Sequence, residues 1–150
     1  MLFSKSAEYA VQAMIYLAEK DSDDPIMIGQ IAEAYGIPRQ FLAKIIQTLV
    51  KYRLLIAVRG RKGGVKLARP AREIHLPEII HAIDGPPPEE EPCVFGLDVC
   101  DDEQPCPFHP KWKVVREDID DMLAGENLQQ LATRVTEKHV AMQDFALSKA

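Results

Sequence analysis

Apolar residues recur at helical spacing through the first part of the chain. Tyr9 or Ala10, Ala13, Met14, Leu17 and Ala18 form one stripe. It predicts a helix that starts near Ser4 or Ser6 as N-cap, carries Glu8 in its first turn and breaks in the run 21–25. A second helix is expected over 28–35, stopped by Gly36, where a left-handed residue is wanted. Pro38 then opens a third helix that turns Phe41, Leu42, Ile45, Ile46, Leu49 and Val50 inward. Two helices joined by so short a glycine-containing turn predict a helix-turn-helix.

The period then changes. Residues 54–58 and 65–68 are short β-prone runs on either side of Arg59, Gly60, Arg61, Lys62, Gly63 and Gly64, a hairpin with a basic tip. Helix-turn-helix followed by such a hairpin is the layout of a winged helix. A fourth helix begins at Pro77, presents Ile79, Ile80 and Ile83, and ends at Gly85. From 85 to 110 there is no periodicity, and seven of the eleven prolines fall there; a segment this long without its own structure is functional or disordered. Trp112, Val115, Ile119, Met122 and Leu123 mark a longer amphipathic helix closed by Gly125. A shorter segment with Leu128, Leu131 and Val135 follows. The expected fold is mainly α with a small β-hairpin: a winged helix-turn-helix over 1–84, a Cys/His loop over 85–110, helices over 111–135 and an unassigned tail over 136–150, with no internal repeat.

Composition, 47% hydrophobic and 27% charged, is that of a soluble globular protein. The net charge of −5 argues against a nucleic-acid partner until the charges are sorted by position. Residues 39–72 hold ten basic side chains and no acidic one, and the remainder carries −15. The basic block is interleaved with the apolar residues that fold it, so it forms a cationic face suited to a polyanion, most simply DNA or RNA. Arg39, Gln40 and Lys44 begin the helix expected in the major groove; Arg59, Arg61 and Lys62 reach phosphates or the neighbouring minor groove. Glu8 and Gln12 interrupt the first apolar run, so it reads as a core helix rather than a signal peptide. No apolar stretch has membrane-spanning length. Three cysteines, odd in number and confined to 93–106, fit a reducing cytoplasm better than a disulfide framework.

Cys93, Cys100, Cys106 and His109 offer three thiolates and an imidazole within seventeen residues, with prolines beside Cys93, Cys106 and His109. Structural zinc prefers tighter spacings. These gaps favour a larger object, an iron–sulfur cluster, over zinc or a metal-free loop. The run Glu89, Glu90 and Glu91, with Asp101, Asp102 and Glu103, is a solvated cluster that also places negative charge around an anionic site, lowering the potential of any cluster there. His75, His81 and His139 have no cysteine partners and read as surface or hydrogen-bonded side chains. No nucleotide-binding glycine motif and no serine–histidine pairing points to an enzyme.

Tyr9-Ala10-Val11, the turn Gly36-Ile37-Pro38, the wing Val58-Arg59-Gly60-x-x-Gly63-Gly64 with Leu67-Ala68, and the three-cysteine loop together resemble the Rrf-two family of bacterial regulators, over nearly all the chain to about residue 135. The resemblance implies a cytoplasmic DNA-binding homodimer that reads a near-palindromic operator, with the helix around 112–123 forming much of the dimer interface. In the IscR branch three cysteines and a histidine three residues after the last hold a [2Fe-2S] cluster; Cys93, Cys100, Cys106 and His109 match, with the first gap one residue longer. Elsewhere in the family, where [4Fe-4S] clusters are the alternative, an acidic or amide residue near position eight of the partner subunit completes the site, a role open to Glu8. The implied function is transcription control in response to redox state, nitric oxide or iron–sulfur status; a zinc-stiffened or metal-free winged helix is the alternative. The chain departs from the family at Arg53, where a glycine is common, and at Ala43, Ala57 and Val65.

Overall fold

The computed structural model describes residues 2–88, 93–97 and 100–148. Helix α1 (Lys5–Lys20) starts on Ser4, whose hydroxyl accepts from the Ala7 amide at 3.1 Å. Its stripe of Ala7, Ala10, Ala13, Met14, Leu17 and Ala18 is buried. Small residues along this face let neighbouring helices approach it closely. Helix α2 (Ile28–Tyr35) closes on Gly36, which takes the left-handed conformation at φ 62° and donates its amide to the carbonyl oxygens of Ala32 and Glu33. Pro38 caps α3 (Arg39–Lys51), which buries Leu42, Ile45, Ile46 and Leu49. Phe41 does not face inward as its apolar character predicts. It is 43% exposed, one position off the buried stripe, and meets the Tyr9 ring edge-on at 5.8 Å between centroids.

Strands β1 (Leu55–Val58) and β2 (Gly64–Leu67) pair antiparallel, Leu55 opposite Leu67 and Val58 opposite Gly64. Val65 and Ile26 exchange backbone hydrogen bonds of 2.9 Å in each direction, so the wing is anchored to the segment before α2. This approach needs glycine: a Cβ on Gly64 would lie 2.3 Å from the Ile26 carbonyl oxygen. Helix α4 (Leu76–Asp84) follows a short 3-10 turn (Ala71–Glu73).

After α4 the chain makes an excursion and returns beside Ile74, ahead of the start of α4. Asp84 accepts hydrogen bonds from the backbone amide of Ser4, at 2.8 Å, and from its hydroxyl, tying the exit to the start of α1. Helix α5 (His109–Ala124) lies within the excursion, and α6 (Leu128–Ser148) begins where the Leu128 amide donates to the Ile74 carbonyl oxygen at 2.8 Å. Asn127 and Gln130 cap α6 reciprocally. Leu128 and Ala132 are buried against the core that Met14, Ile31, Leu42, Leu49, Ile74 and Ile79 share. The first half of α6 therefore belongs to the same core as the winged helix.

The second half corrects the expected tail. Helix α6 continues through 136–148 and is longer than α5. The apolar residues Val140, Met142, Phe145 and Leu147 are exposed there and mark no buried stripe, yet no glycine or proline interrupts residues 126–150. The helix that looked longer from its stripe, α5, has no buried residue within the chain.

Two substitutions test this backbone. Arg53 follows α3 in the left-handed region, at φ 58°; Arg53→Gly should raise unfolding free energy by up to about 1 kcal/mol, the relief of left-handed strain less the added freedom of the unfolded chain. Gly64→Ala should cost about 1–3 kcal/mol through its clash with the chain at Ile26. Urea unfolding measures both, and a neutral Gly64→Ala would contradict the wing anchorage.

Candidate metal centre and nucleic-acid interface

The cysteine segment is built from turns. Gly96, at φ 72°, donates its amide to the Cys93 carbonyl oxygen at 2.8 Å, closing the turn Cys93-Val94-Phe95-Gly96. That turn aims backbone amides at sulfur. The Phe95 amide, with help from that of Leu97 and the neighbouring thiols, holds the Cys93 thiol below its usual range against the opposing effect of burial. A second turn, Cys106 to His109, closes with the His109 amide donating to the Cys106 carbonyl oxygen at 3.0 Å and runs into α5. The Cys106 amide favours the Cys100 thiolate, but burial and the two neighbouring thiols outweigh it and push the Cys100 thiol up. The sulfurs thus compete for negative charge.

The sulfur atoms of Cys93, Cys100 and Cys106 all lie within 4.8 Å of one another. Cys93 and Cys106 are buried, with their sulfurs 3.8 Å apart. His109 joins from the Cys100 side, its Nδ1 3.2 Å from Cys100 Sγ. Together with Val94, Trp112 and Arg116 the four line a small cavity. Phe95 and Phe108, exposed and 5.4 Å apart between ring centroids, cover the outside of the loop. The three cysteines predicted from their spacing are therefore brought together, and His109 stands beside Cys100. Glu8 is not among them and pairs with Lys5 on α1. Glu89, Glu90 and Glu91 lie outside the described residues. Asp102, one of three consecutive acids in the sequence, is singled out by the fold: hydrogen bonds from Lys113 and then from His109 hold its carboxyl below the usual range.

A thiolate–metal bond of about 2.3 Å with tetrahedral angles puts two sulfurs on one metal nearly 4 Å apart. The Cys93–Cys106 separation matches that edge, and the Cys100–His109 separation is close to it. Three sulfurs this close, with an imidazole beside Cys100, supply the soft donors that a metal ion or an iron–sulfur cluster requires. The three sulfurs are also compact enough to share a single ion.

Away from the cysteines in sequence, Gln40, Lys44, Gln47 and Lys51 stand on the exposed face of α3. Gln47 was not evident from the sequence, because a lone polar residue in an apolar helix carries no signal until its face is known. With Ala43 it lines a groove shared with Ala57, Val58 and Gly60 of the wing. The Arg39 guanidinium folds back over Gly29 at the start of α2, with its carbon 3.8 Å from where a Cβ would sit. Arg59, Arg61 and Lys62 are exposed at the wing tip. Among the described residues, Arg39, Lys44, Arg59, Arg61 and Lys62 form no ion pair, whereas Arg69 and Arg72, at the end of the basic block, pair with Glu78 and Glu73. These five unpaired cations stand on α3 and at the wing tip. No helix among the described residues is long and apolar enough to cross a membrane.

The sequence profile of the Rrf2 family, described as iron-dependent transcriptional regulators, matches residues 3–134. HTH-type transcriptional regulator Rv1287 of Mycobacterium tuberculosis is 35% identical over 141 residues, spanning 94% of this chain and 87% of that protein. Among solved structures, CymR, the global cysteine regulator of B. subtilis, superposes with a TM-score of 0.73 at 25% identity, covering 88% of this chain and 96% of that one. IscR of T. potens does so with a TM-score of 0.71 at 28% identity, covering 90% and 88%.

Proposed function

This chain belongs to the Rrf2 family of transcriptional regulators, and from that premise we propose that it is a cytoplasmic, homodimeric DNA-binding regulator whose affinity for its operator is set by an iron–sulfur cluster held by Cys93, Cys100, Cys106 and His109. The observation that carries the reading is the convergence of three sulfurs within 4.8 Å, with an imidazole beside them, in a segment that has no other structural reason to hold cysteines. When bound, a [2Fe-2S] cluster supplies a centre that changes charge or is lost in response to oxidant, nitric oxide or iron supply. A [4Fe-4S] cluster completed by Glu8 of the partner subunit is the less favoured form, because His109 already stands beside Cys100 while Glu8 is engaged by Lys5.

The chain's own residues carry the response. The cluster segment leaves the core at Asp84, which caps the start of α1 together with Ser4, and α1 packs directly on α3. A loop fixed by ligation and a loop released from it load these contacts differently, and a switch requires such a difference in DNA affinity between the two states. Arg39 and Lys44 position α3 on phosphates, Gln40 reads base edges, and Arg59, Arg61 and Lys62 grip the flanking groove. A two-fold dimer reads a near-palindrome. The second copy is argued from α5 itself: Val114, Val115 and Met122 are exposed on a helix that buries nothing within its own chain.

Anaerobically purified protein should be coloured, and Cys106→Ser should abolish its visible absorbance. His109→Ala should perturb the spectrum more than Glu8→Ala; the reverse ranking favours the cross-subunit carboxylate. On duplex DNA from the region beside its own gene, cluster-loaded and cluster-free protein should differ in affinity about 5- to 150-fold. Equal affinities contradict the proposal, and colourless protein with stoichiometric zinc replaces the sensor with a zinc-stiffened regulator.

A further inference from the structure

A histidine can offer either ring nitrogen to a metal, and the group beside the other nitrogen decides which. In His109 the two nitrogens have different neighbours. Nδ1 lies 3.2 Å from Cys100 Sγ, and Nε2 lies 3.3 Å from Asp102 Oδ1. The other oxygen of that carboxylate accepts a hydrogen bond from Lys113 Nζ at 2.6 Å. His109 and Lys113 are four residues apart on the first turns of α5, so their side chains share a face. Asp102 reaches this face from the loop between Cys100 and Cys106.

The loop holds Asp102 there by a local device. Asp101 Oδ1 accepts from the amides of Glu103 and Gln104, at 2.9 and 2.6 Å, an Asx turn that fixes the backbone on both sides of Asp102. The acidic triplet is thus divided: Asp101 builds the turn, and Asp102 is presented to α5. Asp102 is otherwise largely exposed, with a side chain 71% accessible, so Lys113 is the group that keeps its carboxylate from turning to solvent.

A neutral imidazole has one N–H, and it lies where an acceptor waits. We propose that Asp102, held in place by Lys113, is a positioning residue that keeps His109 in its Nε2–H form and aims the bare Nδ1 at the site of the three sulfurs. The inference rests on the reading of His109 as a ligand and adds to it the nitrogen used and the residues that select it. A carboxylate–histidine pair of this kind orients the ring and raises its basicity as a ligand; removing the carboxylate commonly weakens metal binding 10- to 100-fold.

The test uses the full-length chain, wild type, Asp102→Ala, Asp102→Glu and Lys113→Gln, with Zn(II) as a diamagnetic probe of the same donors. Long-range 1H–15N correlation spectra of the metal-free wild type should show His109 with its proton on Nε2. Asp102→Ala should lose that preference, and its Zn(II) affinity, by chelator competition, should fall about 10- to 100-fold. Lys113→Gln should fall between the two. Unchanged circular dichroism shows that the variants are folded, and recovery of Zn(II) affinity in Asp102→Glu separates the role of the carboxylate from general loosening of the loop. A wild-type ring protonated at Nδ1, or an Asp102→Ala protein with unchanged tautomer and unchanged affinity, overturns the proposal. Neither readout involves iron or sulfide. A wild-type chain that takes up no cluster, while His109 keeps its Nε2–H form and binds Zn(II), defeats the cluster reading and leaves this one standing.

Discussion

Three sulfur atoms held within 4.8 Å, in a segment whose described residues form turns rather than helix or strand, are the constraint on which the rest of the structure depends. Thiols this close compete for charge, which is why Cys93 is favoured as a thiolate by the Phe95 amide while Cys100 is driven the other way by burial and its neighbours. The competition ends when a cation or cluster shares the charge. Until then the loop is ordered mainly by the turn at Gly96, the Asx turn at Asp101 and the entry into α5. Ordering backbone is costly, and ligation as proposed would offset that cost.

The fold places this segment so that its state is felt elsewhere. Its first end leaves the core at the Asp84–Ser4 contact, and the chain returns at Leu128, beside Ile74, only after α5. Both attachments involve elements packed on α1, and α1 carries α3 on another face. Arg39 and Lys44 on α3 and Arg59, Arg61 and Lys62 on the wing form no ion pair among the described residues, while the acidic side chains gather on the rest of the chain. Confined in this way, positive charge attracts DNA to one face, and the acidic remainder discourages non-specific adhesion elsewhere.

Much of this was legible in the sequence, for identifiable reasons. The winged helix could be read because its stripes are unbroken and its turns are marked by Gly36, Pro38 and the wing glycines, whose conformations or close approaches exclude most other residues. The grouping of the three cysteines could be read because few residue types bind soft metals. What escaped lay where one-dimensional pattern is degenerate. Phe41 sits at the edge of a stripe, where one step of rotation separates inside from outside. The extension of α6 has helix-favouring residues and no buried face. Asp102 differs from Asp101 and Glu103 only through a turn that the sequence does not announce, and Gln47 only through the face on which α3 presents it.

The central claim, that these four donors hold an iron–sulfur cluster, is tested most directly by metal and acid-labile sulfide analysis of the wild-type chain purified without oxygen. Iron and sulfide in equal amounts, lost together when Cys106 is replaced by serine, is the result the account predicts. Stoichiometric zinc without sulfide, or protein with neither metal, would contradict it.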